Sequence, residues 1–541
     1  MTPILLTISA VLILCVLCSR LSNRMGIPML LLFLGVGMLF GSDGLFRINF
    51  DDFAFAEQIC SVCLLFIMFY GGFGTKWSAA RPVAPQAVLL STAGVVLTAG
   101  MTGAFCHYAL GMEWWYGLLL GSVLGSTDAA SVFSILRSRQ LNLKYNTASL
   151  LEVESGSNDP CAYLLTSLLL TALEGQVGPA QVLLTLVRQL VLGAVPGILT
   201  AMGLLWLLDR LQEVGTGFRQ VLVLAGAVLA YALPAALGGN GYLGVYLAGL
   251  WLGNARFQDK RAMVTFFDGL TSLAQVFTFF VLGLLCFPRQ LPGAFLPALG
   301  VGIFLTFVGR PAVVALLLAP FRASLGQVLT VAWAGLRGAA SIVFAITVVV
   351  ADTPGGEQLF NMVFCVVLLS ILFQGSLLPW VARRLEMIDD KENVLRTFSD
   401  YSDQADVRFL RYRLAAGHPW TGNALRTVIL PPDTILAMVE RRGQALVPSG
   451  DTVLEPGDEL VLASLGREGE RSLPLREVEV RPSSDWCGKT LAQADTPREL
   501  LVILIKRGEK VVIPRGSTLL QAGDVLVMAG GRFGKPAPDN S

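Results

Sequence analysis

Up to about residue 385 the chain is a succession of apolar runs long enough to cross a bilayer, and the remainder reads as ordinary water-soluble sequence. Two physical environments follow from that division. The whole chain is 54% hydrophobic and 15% charged, with a mean hydropathy of +0.64, above what a soluble globular protein shows. About 20 apolar residues make a spanning helix. Thirteen candidate segments are centred near Leu12, Leu34, Leu65, Gly94, Leu124, Tyr163, Gly197, Gly226, Ala248, Phe277, Thr306, Ala340 and Leu368. The expected fold is therefore an all-α polytopic membrane protein of 13 transmembrane helices followed by cytoplasmic α+β domains.

Charge gives an independent test of orientation. The connections after segments 1, 3, 5, 7, 9 and 11 carry Arg20 and Arg24, Lys76 and Arg81, Arg137, Arg139 and Lys144, Arg210 and Arg219, Arg256, Lys260 and Arg261, and Arg322. The alternate connections carry only Arg47 and Arg289, with Arg188 at the start of segment 7. The positive-inside rule then puts the N-terminus outside and residues from 385 onward in the cytoplasm, which requires an odd number of spans. The segment Pro3 to Cys18 lacks a basic leader and a small-residue cleavage site, so it reads as a first spanning helix rather than a signal peptide.

Several function classes are excluded early. A net charge of +1 offers no basic patch for nucleic acid. Most of the nine cysteines sit inside apolar runs, and Cys60-x-x-Cys63 has no second pair, so neither a disulfide framework nor a metal or redox centre is expected. His107 and His418 are isolated, without a nucleophile, metal or phosphate motif, so no enzyme and no cofactor is expected.

Past Arg383 the composition changes to a charged connector and then to alternating β-type runs broken by Gly, Pro and Asp. These contain a repeat: Trp420-Thr-Gly422, Leu425, Pro432, Arg442-Gly443, Pro448, Gly450, Leu454 and Gly457-Asp458 recur as Trp486-Cys-Gly488, Leu491, Pro497, Arg507-Gly508, Pro514, Gly516, Leu520 and Gly523-Asp524, offset by 65 to 66 residues. Both copies resemble the TrkA-C module attached to potassium channels and transporters, which implies a small-molecule regulator, with dimerisation or stabilisation alone as the alternative. The expected boundaries are 1–385 for the membrane domain, 386–406 for a linker, 407–470 and 471–532 for the two modules, and 533–541 for a disordered tail.

Ionisable groups within apolar segments are expensive and mark pathways or paired sites. Here they are Asp128, Glu154, Asp159, Arg310 and Arg337. Segment 6 reads Glu152-Val-Glu154-Ser155-Gly-Ser157-Asn158-Asp159-Pro160, where helical spacing puts Ser155 and Asp159 on one face with Asn158 beside them. Carboxylate, amide and hydroxyl oxygens suit a hard monovalent cation. A carboxylate partly withdrawn from water can be neutralised by that cation or by a proton, and competition between the two is exchange. The alternative for these residues is interhelical hydrogen bonding alone. Pro160 is expected to add a local backbone break.

Segment 5 contains Gly125-Ser126-Thr127-Asp128-Ala129-Ala130-Ser131, a poor continuous helix because its short polar side chains compete for backbone hydrogen bonds, so an unwound centre is expected. Segment 12 contains Gly335-Leu336-Arg337-Gly338-Ala339-Ala340-Ser341, repeating the glycine and Ala-Ala-Ser pattern at an offset of 210 residues. The copies would enter from opposite sides, as in an inverted repeat with two discontinuous crossing helices at the midplane. There Asp128 would offset positive half-helix ends, and Arg337 would offset negative ends or pair with Glu154.

Ser126-Thr127-Asp128, Glu154-Ser-x-x-Asn158-Asp159, Leu336-Arg337-Gly338 and Gly244-x-x-Leu247-Ala-Gly-Leu-x-Leu-Gly253-Asn254 together resemble the NhaP-type branch of monovalent cation/proton antiporters. The resemblance implies exchange of K+ or Na+ for H+ by alternating access in a homodimer of the bacterial inner membrane. It also implies that Asp159 carries cation and proton, that Ser155 and Thr127 supply further oxygens, and that Asn158 orients the site. Asp128, Arg310 and a Glu154–Arg337 pair would support it. The Asn158-Asp159 pair implies electroneutral exchange, and the tandem modules tilt the cation toward potassium. A ligand-gated cation channel is the alternative, since Gly238-Gly-Asn-Gly-Tyr242 resembles a filter run, but that run opens a long apolar segment instead of standing in a re-entrant loop.

Overall fold

A computed structural model describes residues 2–25, 28–139, 141–175, 178–211, 214–257, 259–389, 407–415, 417–430, 434–441, 444–446, 448–465, 475–480, 484–494, 500–507, 510–512, 514 and 516–530. The chain forms two compact units, Met1–Asp403 and Gln404–Ser541. Most of the expected linker and all of the expected tail lie outside the described residues.

The first unit is built from helices. Among the described residues, seven are long and apolar enough to cross a membrane: Phe53–Gly74, Ala84–Leu110, Ala180–Arg210, Thr216–Ala236, Lys260–Leu284, Leu291–Phe321 and Gly356–Arg384. Large apolar side chains such as Leu184, Phe218, Leu296 and Phe307 stand exposed on them, a surface that only hydrocarbon makes favourable. The remaining expected centres fall on shorter or interrupted helices, including Met29–Phe40, Gly241–Asn254 and Ala339–Val350, or on Thr147–Glu174, which carries the polar Glu152–Asp159 stretch. Small residues set the closest helix contacts. A Cβ on Gly249 would collide with the Phe69 carbonyl oxygen and one on Gly253 with that of Phe73, so Phe53–Gly74 and Gly241–Asn254 pack backbone against backbone.

Two helices are broken where their composition makes them weak. Trp114–Val123 stops and resumes as Ala129–Ser138; Leu325–Trp333 stops and resumes as Ala339–Val350. The breaks meet: Asp128 N–H donates to the Leu336 carbonyl at 2.8 Å, and Arg337 Nη1 donates to the Ser126 carbonyl at 2.9 Å. Unwinding frees backbone groups that hydrocarbon cannot satisfy, and each break satisfies those of the other. Gly338 permits the approach, because a Cβ there would run into the Asp128 side chain.

Pro160 does not break its helix. Thr147–Glu174 is continuous through it, and the Pro160 carbonyl accepts from Asn240 Nδ2 at 2.8 Å. Asn240 also caps Gly241–Asn254, its Oδ1 accepting from Leu243 N–H at 3.1 Å, so one buried amide ties the start of that helix to the helix carrying Asp159.

The second unit holds two four-stranded antiparallel sheets. The strands are β1 Val407–Arg413, β2 Thr434–Arg441, β3 Gln444–Leu446, β4 Glu459–Leu465, β5 Leu475–Glu479, β6 Leu500–Arg507, β7 Lys510–Val512 and β8 Val525–Gly530. Their orders are β1-β4-β2-β3 and β5-β8-β6-β7. The repeat is carried into three dimensions at a constant offset of 66: the core residues Leu414, Leu436, Val439, Leu454, Leu460 and Leu462 recur as Val480, Val502, Ile505, Leu520, Leu526 and Met528. Both β2 and β6 bulge at equivalent points, Leu436/Met438 and Val502/Leu504. The constant offset corrects the sequence pairing of Arg442 with Arg507. It is Arg441 whose fork grips the buried Asp458, at 2.8 Å through both Nε and Nη2, as Arg507 grips Asp524 at 2.7 Å. Arg442, Gly443 and Gly508 lie outside the described residues. Gly457 and Gly523 precede these aspartates with φ of +91° and +85°, a turn conformation that disfavours any side chain.

Candidate cation site

Thr147–Glu174 presents Ser155, Asn158 and Asp159 to the 124–128 break. Ser155 Oγ donates to the Thr127 carbonyl at 2.6 Å, and Asn158 Nδ2 donates to Thr127 Oγ1 at 2.5 Å. Ser126 Oγ donates to Asp159 Oδ1. Three hydrogen bonds therefore lock the unwound segment to one helix face, two of them at Thr127. Asn158 Oδ1 is buried without a hydrogen-bond partner, which leaves a carbonyl-type oxygen available beside Asp159.

Asp159 is half-buried and lines a cavity of about 370 Å³ together with Ser126, Thr127, Asp128 and Ser155. Glu152 and Asp268 add two more carboxylates to its wall. Glu152 accepts from Thr75 Oγ1 at 2.9 Å, and Asp268 accepts from the Tyr70 hydroxyl at 3.2 Å. The arrangement supplies hard oxygens of three kinds around one half-exposed carboxylate, a donor set suited to a partly dehydrated alkali cation.

The supporting residues differ from expectation in one respect. Glu154 pairs with Arg310, and Arg337 does not pair with it. Glu154 is 1% exposed and Arg310 is 4% exposed, so this is a fully desolvated ion pair. Arg337 holds the two breaks together through Ser126, and its own N–H donates to Ser370 Oγ at 3.0 Å. Asp128 accepts from the Ser131 N–H at 3.2 Å and from the Ser131 hydroxyl, so its carboxylate sits over the positive start of Ala129–Ser138.

Sequence reasoning named Asp159, Asn158, Ser155, Thr127, Asp128, Glu154, Arg310 and Arg337, and the structure brings all of them to the two breaks or their immediate support. It missed Ser126 as a direct partner of Asp159, although Ser126 adjoins Thr127 in the same small-residue run. It also missed Glu152, Thr75, Asp268 and Asn240, whose partners lie far away in sequence.

The transmembrane model of the sodium/hydrogen exchangers matches residues 9–384. The chain belongs to the sodium/hydrogen exchanger family. Beyond the exchanger domain, the TrkA-C domain model matches residues 409–465 and 475–532, one for each sheet. Among its relatives, the K(+)/H(+) antiporter NhaP2 of Shewanella sp. (strain MR-4) is 37% identical over 459 residues, covering 84% of this exchanger and 79% of the relative. The K(+)/H(+) antiporter NhaP of Alkalimonas amylolytica is 38% identical over 390 residues, 72% and 68% of the two chains. The solved sodium proton antiporter MjNhaP1 of Methanocaldococcus jannaschii superposes with a TM-score of 0.61 at 26% identity, over 69% of this exchanger and 99% of that chain.

Proposed function

We propose that this cation/proton antiporter exchanges K+ for H+, with Na+ as the other candidate cation, by competition of the two ions for Asp159. The observation that carries the reading is the half-buried Asp159 at the junction of two helix breaks, hydrogen-bonded by Ser126 and open to a cavity of about 370 Å³. One carboxylate holds either a proton or a cation, and exchange rather than leak follows if only the loaded forms change their exposure from one side to the other. The K(+)/H(+) relatives favour potassium, and the sodium proton antiporter MjNhaP1 keeps sodium in play.

The Asn158-Asp159 pair supports electroneutral one-for-one exchange by its resemblance to the Asn-Asp pair of the electroneutral antiporters. Paired breaks of similar sequence support an inverted repeat within a 13-span domain, and the Lys and Arg pattern supports an external N-terminus and cytoplasmic TrkA-C domains. Residence in a bacterial inner membrane, a homodimer, and a small-molecule regulator at the TrkA-C copies complete the reading. Nothing in the comparisons favours a channel.

The test is cation-driven collapse of a preset pH gradient in proteoliposomes, comparing Na+ with K+ and wild type with Asp159→Asn at clamped voltage. Loss of exchange in the variant, with wild-type rates indifferent to voltage, is expected. Wild-type exchange by Asp159→Asn overturns the assignment.

A further inference from the structure

Pro160 stands one position past Asp159, and Thr147–Glu174 runs through it unbroken. A proline has no N–H, so the carbonyl four residues earlier loses its intrahelical donor, and the ring presses that carbonyl away from the helix axis. The carbonyl concerned is that of Gly156. Donors nearby in the fold are engaged elsewhere: Asn240 Nδ2 donates to the Pro160 carbonyl at 2.8 Å, and Asn158 Nδ2 to Thr127 Oγ1 at 2.5 Å. An unpaired backbone oxygen at membrane depth is tolerated where it lines a cavity, and Gly156 lines the cavity of about 370 Å³ that holds Asp159.

Three features aim this oxygen at the ion. Glu152, Ser155, Gly156 and Asp159 all line the cavity and fall at i, i+3, i+4 and i+7, one face of the helix. Gly156 is half-buried, yet the direction a side chain would take is filled by the Tyr246 ring, so its exposure lies elsewhere on the backbone. Helix carbonyls point toward the C-terminus and side chains lean toward the N-terminus. The Gly156 carbonyl and the Asp159 carboxylate, about 4.5 Å apart in rise, therefore converge from opposite directions.

We propose that the Gly156 carbonyl oxygen is a ligand of the transported cation, freed for that role by Pro160. Such a role rests on Asp159 being the carboxylate for which cation and proton compete, and it adds a neutral oxygen to that site. Backbone carbonyls coordinate hard cations but are not basic enough to take up a proton at neutral pH. The oxygen thus favours the cation-loaded form of Asp159 and sets the concentration at which the cation displaces the proton. Gly156 and Pro160, four positions apart, act together: one leaves the carbonyl unshielded by a Cβ and the other leaves it unpaired.

The experiment is pH-gradient collapse in proteoliposomes with K+ and Na+ each titrated at fixed pH. Wild type is compared with Pro160→Ala and with an ester variant carrying lactate at position 160, introduced by nonsense suppression. Alanine restores the N–H and gives the Gly156 carbonyl its helical partner, whereas the ester, like proline, has no N–H. The helix is already continuous and Asn240 bonds the carbonyl of residue 160, so neither change asks the backbone to move. For the cation that wild type exchanges, Pro160→Ala is expected to raise the half-saturating concentration by about threefold to tenfold while keeping the maximal rate. The ester variant is expected to stay near wild type. Wild-type half-saturation in Pro160→Ala, or an equal shift in the ester variant, overturns the ligand. Pro160→Ser restores the same N–H and takes the place of an alanine variant that does not fold. Asp159→Asn runs alongside: exchange that survives there overturns the underlying assignment, and its loss with an unshifted Pro160→Ala overturns the carbonyl alone.

Discussion

Glu154→Gln removes the charge that balances Arg310 while nearly preserving shape. Both members are almost wholly withdrawn from solvent, at 1% and 4% exposure, so neither partner is replaced by water when the other is lost. Breaking a buried pair from one side costs about 3–5 kcal/mol, on the order of a hundredfold to several thousandfold in the folded-to-unfolded ratio. Replacing both members with apolar residues, as in Glu154→Leu with Arg310→Met, leaves neither partner of the pair orphaned, removes the repulsion between Arg310 and Arg337, and restores most of that loss. The assay is the thermal midpoint of monodisperse protein in detergent, read for the single, the double and the wild type under one heating protocol. The expected order is wild type near the double variant, with Glu154→Gln well below both. A single variant as stable as wild type, or a double variant less stable than the single, refutes the claim that uncompensated charge on Arg310 dominates the energetics.

Asn158→Asp places a second carboxylate beside Asp159 and is expected to make exchange sensitive to membrane voltage; equal rates at two clamped voltages would argue against Asn158 as the origin of electroneutrality. Gly249→Leu forces apart helices that meet at the Phe69 carbonyl, and overpacking of this kind costs about 1–3 kcal/mol, visible as a lowered thermal midpoint. In the TrkA-C copies, hydrogen bonds from Arg441 and Arg507 hold the Asp458 and Asp524 carboxyls below the usual carboxylate range. Their stabilisation is present above the unfolded carboxylate value of about 3.9 and is lost as pH falls through the folded values. Asp458→Asn and Asp524→Asn should each destabilise the wild-type protein at neutral pH by about 1.5–3 kcal/mol and flatten its acid-side loss, followed by thermal midpoints across pH.

The site was partly legible before any fold was known. A Gly-Ser-Thr-Asp run inside an apolar segment announces an interrupted helix, since its side chains compete with the backbone ladder, and an Asn-Asp pair in another segment announces a costly polar face. Those signals are local. Pro160 misled for the complementary reason: a proline reports a missing donor, yet the helix around it stays continuous, with Asn240 bonding the Pro160 carbonyl from another helix.

By itself the sequence determined the partition of the chain between hydrocarbon and water, the places where two helices are weakest and the carboxylate least able to be idle. It also determined the duplicated sheet domain, though with a one-residue slip at Arg442 that only strand pairing corrected. Tertiary structure decided which arginine neutralises Glu154, since Arg310 lies 156 positions away and no periodicity links them. It decided that Ser126 faces Asp159 and that the two breaks satisfy each other's backbone. Local composition sets how costly each segment is in a given solvent; which distant group relieves that cost depends on how the helices approach one another.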